Sequence, residues 1–369
     1  MNENSTIVFP TTYKQLPLIS LSKVYFPNMN LIPVTFNSYY NPRRKDVANL
    51  DNRNQLNVQY YPESDYNLNA KQLVLTSGTG SSENIKETVA VVKKAIQNKT
   101  SIYSCLTAEE EQKLFEFANL SSIESEKFIS SAKQIINEFF DHFTFEEFIG
   151  RELYRPTLPV VAVGSIMGFN NQSEITAQIS LELKDHRAAA IVNSNDYSIL
   201  NCFPMLDVIY ANDYTVVEKV ILLNQYIKYI VEVSNCNVLV IEIPGGLIRL
   251  NNSYLNDLGQ YAYILSQAVD VDYFVCCSSC NHFNRDYYEN IIKYVSDKFN
   301  FETTAIHISN CFLDFQSISS VQQERLVFKS LDIVYRQINN LSDRTESSSC
   351  SRFYNLLDRE QFSIFLESL

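Results

Sequence analysis

Pro159-Val160-Val161-Ala162-Val163-Gly164-Ser165-Ile166-Met167-Gly168-Phe169-Asn170-Asn171-Gln172-Ser173 is the stretch on which the reading of this chain turns. Its apolar opening reads as a buried strand, its glycine-bearing middle as a tight loop, and Ser173–Lys184 as a helix. A loop of this shape points backbone N–H groups and the positive end of a helix at one spot, which suits phosphate or carboxylate. Glycine is scarce here: eight among 369 residues, against a usual share of about 7%. Four of the eight, Gly164, Gly168, Gly245 and Gly246, fall in two loops that each follow an apolar run. A chain so sparing keeps glycine where backbone turns sharply or approaches something closely.

The second loop, Ile241-Glu242-Ile243-Pro244-Gly245-Gly246, ends the apolar run Val238–Ile243. That position puts Glu242 near the C-terminal edge of a sheet, where open α/β folds bind ligands. A carboxylate beside a phosphate loop normally holds Mg²⁺ directly or through water. Buried acids at strand ends equally pair with a neighbouring helix terminus. The expectation is that the two turns converge at the rim of one sheet and frame a shared cavity. The cofactor-binding candidates are then Gly164, Ser165, Gly168, Asn170, Asn171, Ser173, Glu242, Gly245 and Gly246. Compared with a working P-loop, Asn170 stands where a glycine belongs, Asn171 replaces the phosphate-contacting Lys, and Gln172 replaces the magnesium-binding hydroxyl. Ser173 serves a metal only in a shifted register. ATP with Mg²⁺ is the cofactor the shape suggests and the missing Lys opposes. The plain alternative is a strand-to-helix turn with Ser173 as N-cap.

Around these loops the chain alternates strands and helices. Strands are expected at Thr6–Phe9, Leu31–Phe36, Leu73–Leu75 and Ser101–Leu106. Helices are expected over Glu83–Asn98 and, behind the capping box Thr107-Ala108-Glu109-Glu110, to about Leu120. This is a small N-terminal α/β domain over 1–121, with a loop-rich stretch at Tyr39–Tyr66 and a small-residue turn at Gly78–Ser82. A helical linker follows over 122–156. Residues 157–369 then read as a doubly wound, mostly parallel α/β domain. Its strands are Val160–Val163, Ala188–Val192, Val238–Ile243, Tyr273–Cys277 and Thr303–Ile308, with helices Thr215–Val233, Asn256–Val269 and Asp286–Lys298 among them. Helices near Val321–Asn340 and Ser351–Glu367 close the chain, joined by Ser342–Cys350.

Composition excludes several classes. A net charge of −12 opposes a phosphate-tracking groove, so nucleic acid is not an expected partner. No apolar run approaches the ~20 residues of a membrane helix, and Met1–Thr6 lacks a basic n-region, so a soluble cytoplasmic protein is expected. Eight scattered cysteines read as reduced, buried thiols. Cys276-Cys277-Ser278-Ser279-Cys280, with His282, contains one C-x-x-C spacing, short of the four ligands of a structural zinc site. His142, His186, His282 and His307 are dispersed and form no hydrolase triad.

The strand–loop–helix at Val160–Leu183, the segment Val238–Gly246 and Gly259–Val269 leading to Val271–Val275 resemble a family of clostridial peptide-maturation system proteins, as does the opening strand ending in Phe9-Pro10. The C-terminal half is similar to the dethiobiotin-synthetase type of P-loop domain. The resemblance implies a place in gene clusters that modify ribosomally made, often Cys-rich peptides, beside a precursor peptide and radical-SAM or carrier-like maturation proteins. It assigns Gly164, Gly168 and Ser173 to a nucleotide loop and Glu242, Gly245 and Gly246 to a second phosphate-side loop. Its expected function is an accessory protein that binds a precursor peptide or partner enzyme through a degenerate nucleotide site. An ATP- and Mg-dependent ligase or transferase acting on a carboxylate is the alternative, and a small-molecule-binding α/β protein outside peptide modification is a third. A homo-oligomer stays open.

Overall fold

The fold is that of a computed structural model, described over residues 5–36, 46, 48, 58–62, 70–77, 82–119, 128–143, 152–168, 171–249, 257–281, 283–313, 326–342 and 352–367. The chain divides into two compact units, Met1–Asn137 with Ser194–Pro204, and Glu138–Asn193 with Met205–Leu369.

In the first unit, β1 (Ser5–Phe9), α1 (Leu16–Tyr25), β2 (Asn30–Thr35), β3 (Tyr61–Pro62), β4 (Gln72–Leu75), α2 (Ser82–Gln97), β5 (Ser101–Ser104), α3 (Ala108–Ala118) and β6 (Phe128–Ile129) follow one another. The strands form one sheet in the order β3-β2-β1-β4-β5-β6. Every pairing in it is parallel. Strand order therefore reverses between β1 and β4, the place where a doubly wound sheet opens a crevice at its C-terminal edge. Ile7, Phe9, Val34, Leu73, Leu75, Val92 and Ile102 make the core against α2 and α3. The Thr107–Glu110 capping box opens α3 as expected. Helix α1 carries no sequence expectation, because Pro17 and a weakly amphipathic pattern hide it; Pro sits there in the first turn, where its missing N–H costs nothing.

Helix α4 (Ser131–His142) runs through the division between the units. The second unit holds β7 (Val160–Ser165), α5 (Gln172–Glu182) and β8 (Ala188–Val192). The chain then enters the 194–204 segment, which carries β9 (Phe203–Pro204). There follow α6 (Val216–Ser234), β10 (Val238–Gly246), α7 (Gln260–Ala268), β11 (Tyr273–Ser278), α8 (Arg285–Phe299), β12 (Thr303–Ile308), β13 (Cys311–Leu313), β14 (Leu326–Phe328), α9 (Leu331–Ser342), β15 (Arg352–Tyr354) and α10 (Arg359–Leu366). Within this unit the sheet runs β15-β12-β11-β7-β10-β8, all parallel. The central strands carry long apolar runs, as expected of parallel strands covered on both faces: Val160, Val161, Ala162 and Val163 are all buried. Strand order reverses at β7, so the loop after β7 sits at the switch point of this sheet.

The tail departs from expectation. Where one helix is expected over Val321–Asn340, β14 pairs antiparallel with β13 and α9 begins only at Leu331. Where one is expected over Ser351–Glu367, Arg352–Tyr354 joins the sheet beside β12 and α10 starts at Arg359, capped by Asp358. Three-residue strands are too short to show a period of two. The links Tyr39–Tyr66 and Ser342–Cys350 fall largely outside the described residues.

Candidate functional site

Parallel register places the two glycine loops side by side. Glu242 pairs with Val163 and Gly246 with Ser165, while Cys277 on β11 pairs with Ser165 from the other side. The C-terminal ends of β10, β7 and β11 thus meet at the switch point, as the sequence implies.

The loops meet backbone to backbone. Gly168 has φ +82°, and a Cβ there would lie 2.9 Å from the carbonyl carbon of Gly245. Gly245 has φ +67°, and a Cβ there would lie 2.1 Å from Oδ2 of Asp257. Elsewhere asparagine often takes the left-handed region, as where Asn119, Asn235 and Asn300 end helices at φ 51°, 47° and 57°; Lys99, Arg187 and Leu258 also adopt it. Asn tolerates that region through its short polar side chain. Glycine at 168 and 245 answers to the close approach as well as to φ. Gly164, by contrast, shows no positive φ, and a Cβ on it would press on the Phe274 ring at 3.1 Å.

Among the described residues, several amides of the two turns are used within the chain. Ser165 Oγ accepts from the N–H of Met167 at 3.2 Å and of Gly168 at 3.0 Å. The Ile166 N–H donates to Cys277 O, and the Leu247 N–H to Ser165 O. The Gly246 N–H donates to Asp257 Oδ2 at 3.2 Å. The chain supplies its own hydroxyl and its own carboxylate to the two turns, where an external anion would otherwise sit.

Behind the loops lies the acid. Glu242 is buried; its Oε1 accepts from Ser173 Oγ at 2.9 Å and its Oε2 from the Asn193 N–H at 2.8 Å. Burial pushes its carboxyl up to about 7, outweighing the Asn193, Ser173 and Gln172 donors that favour the charged form. The cavity it lines with Ile243, Pro244 and Tyr261 is only about 10 Å³, space for one water at most.

Asn171, in the position expected for the phosphate Lys, is the N-cap of α5 at φ 63°. Its Oδ1 accepts from Ser309 Oγ and its Nδ2 donates to Glu174 at 3.1 Å. Ser173 is therefore not the N-cap: it lies inside the first turn, and its hydroxyl turns to Glu242. Gln172, buried, donates to Ile243 O at 3.3 Å. Asn170 lies outside the described residues, as do Gly78, Gly80 and His282.

The structure gathers Gly164, Ser165, Gly168, Asn171, Ser173, Glu242, Gly245 and Gly246 at one sheet edge. Sequence reasoning misses Asn193, Asp257 and Ser309, which complete it. Asn193 carries a faint signal as the residue closing an apolar strand; Asp257 and Ser309 carry none.

Cys276, Cys277 and Cys280 are buried free thiols, pushed up by burial, Cys276 to about 12 and Cys280 to about 11. Among the described residues no group of three or more His, Cys, Asp or Glu is placed to hold a metal ion. His307 is a core residue, held down to about 3 by burial, with Nδ1 accepting from the Leu356 N–H.

A second buried acid closes the switch point of the first unit's sheet. Asp196 accepts from Gln15 Nε2 at 3.0 Å, from the Ser77 N–H at 3.1 Å and from Ser77 Oγ at 3.3 Å. Burial raises it to about 6 against those donors. Ser77 follows β4 and Gln15 follows β1, so this carboxylate fastens the 194–204 segment where strand order reverses.

Among the described residues no helix is long and apolar enough to cross a membrane. No family model and no curated protein matches the chain. Among solved structures, a DUF1611 family protein from Anabaena variabilis is similar over 100% of this chain and 99% of its own, with TM-score 0.55 and 9% identity. FtsY from Mycoplasma mycoides aligns over 72% of this chain and 90% of its own at TM-score 0.25 and 10% identity, a likeness too slight to bear on the fold. The first comparison shows a shared α/β architecture over the whole chain.

Proposed function

We propose that this chain is an accessory protein of a ribosomal-peptide maturation system, binding a precursor peptide or a partner enzyme, with a nucleotide site that has become structural. The observation that carries the reading is the internal use of the loop amides: Ser165 takes Met167 and Gly168, and Asp257 takes Gly246. A phosphate entering there would displace a buried hydroxyl and meet a carboxylate of its own sign. The resemblance at Val160–Leu183 and Val238–Gly246 supplies the pathway, and the net charge of −12 favours a basic leader segment as ligand. Fluorescence anisotropy with a labelled precursor peptide encoded beside the gene tests it. Saturable binding that weakens with salt is expected. Absence of binding to both the peptide and the co-encoded modifying enzyme overturns the reading.

One observation favours the ligase or transferase alternative. Ser173 and Glu242 stand 2.9 Å apart, the hydroxyl and carboxylate that would share Mg²⁺ in an active site. Under that reading ATP binds with Mg²⁺, and Glu242→Ala abolishes it.

A further inference from the structure

A cavity of about 440 Å³ opens in the second unit between the start of α8 and one side of α9. Its size falls within the usual range for small-molecule sites, about 300–1,000 Å³. Its polar wall is Arg285, Arg336, Gln337 and Asn340, its apolar wall Phe283 and Leu341, and among the described residues none that lines it is acidic. In a chain of net charge −12 that is a local reversal of sign.

Among the described residues the lining carries two guanidinium groups, one of them offset by an acid. Arg285 Nε donates to Glu289 Oε1 at 3.0 Å, which offsets its guanidinium. Arg336 is exposed, uses Nε on the backbone oxygen of Asp332 at 3.2 Å, and forms no ion pair among the described residues. Beside it, Gln337 is 5% exposed. Its Oε1 accepts from the Cys280 thiol at 3.0 Å, which fixes the amide, and its Nε2 finds no acceptor among the described residues. A buried donor without an acceptor costs stability and gains from a ligand that brings one. Phe283, stacked on Tyr287 with centroids 4.1 Å apart, gives the opposite wall a fixed aromatic face.

We propose that this cavity binds an apolar monocarboxylate, its oxygens held by the Arg336 fork and the Gln337 amide, its hydrocarbon part laid against Phe283 and Leu341. A carboxylate matches the planar guanidinium bidentately. One negative charge also matches the one guanidinium not offset by an acid among the described residues, whereas a phosphate dianion would leave charge uncompensated. The inference concerns a site remote in sequence from the glycine loops and holds or fails without regard to nucleotide or peptide binding.

Saturation-transfer NMR on the full chain, with 3-phenylpropanoate as probe and 3-phenylpropanamide as its uncharged control, tests it. The acid is expected to receive saturation and the amide not. Arg336→Gln, at an exposed position that leaves the fold intact, is expected to weaken the acid by about tenfold, the loss of one charge-assisted contact. Arg336→Lys, which keeps charge without the fork, is expected to fall between. Inorganic phosphate is expected to compete poorly. No transfer to the acid, equal transfer to the amide, indifference to Arg336→Gln, or displacement by phosphate as effective as by unlabelled acid would each overturn the proposal.

Discussion

Ser173 and Glu242, 69 residues apart in the chain, share a hydrogen bond of 2.9 Å at the switch point of the second sheet. The bond ties the first turn of α5 to the end of β10 and leaves the carboxylate buried, accepting from Ser173 Oγ and the Asn193 N–H.

That burial has a pH consequence. Glu242 titrates at about 7 when folded and near the ordinary ~4.3 when unfolded. Between those values the folded chain holds the extra proton, so this group's contribution to stability falls as pH rises from about 4.5 to about 7 and is level above. Glu242→Gln removes that slope. Urea melts of both proteins at pH 5 and pH 8 should differ in their pH dependence by on the order of 3 kcal/mol.

The close approach of Gly168 and Gly245 orders two alanine substitutions. Gly168→Ala adds a Cβ at positive φ against backbone that cannot yield and is expected to cost about 2–3 kcal/mol or more. Gly164→Ala meets only the Phe274 ring, at ordinary φ, and should cost less. Thermal melts of the two variants check the order.

Asp196 Oδ1 accepts from the Ser77 N–H at 3.1 Å. Asp196→Ala strands that donor and leaves Gln15 Nε2 with only Ser77 O as acceptor, and is expected to destabilise the first unit by roughly 2–4 kcal/mol. Hydrogen exchange at Ser77 and over 194–204 should rise in the variant while β7 and β10 stay protected.

The seven cysteines at 105, 202, 236, 276, 277, 280 and 311 are all buried. Burial raises the thiols of Cys105, Cys276, Cys277 and Cys280, which suppresses the reactive thiolate. Ellman's reagent should leave these seven untouched in the native protein and titrate them in denaturant.

Much of this architecture is legible in the sequence because strands buried on both faces write themselves as unbroken apolar runs, as at Val160–Val163 and Val238–Ile243. The convergence of the two glycine loops follows from parallel register alone. What stays hidden is what those loops touch. Asp257 and Ser309 reach the site through loops whose course no periodicity reveals, and whether an amide faces a ligand or its own Ser165 depends on side-chain rotation. The short strands β13, β14 and β15 escape notice because three residues cannot display an alternation. Asparagine rather than glycine takes the helix ends at Asn119, Asn235 and Asn300, whereas Gly168 and Gly245 stand where backbones meet closely.

Isothermal calorimetry of the purified chain with ATP, with and without Mg²⁺, tests the central claim that the glycine loops are closed by their own residues. The account predicts no saturable heat in either condition. Micromolar ATP binding that requires Mg²⁺ and disappears in Glu242→Ala would contradict it.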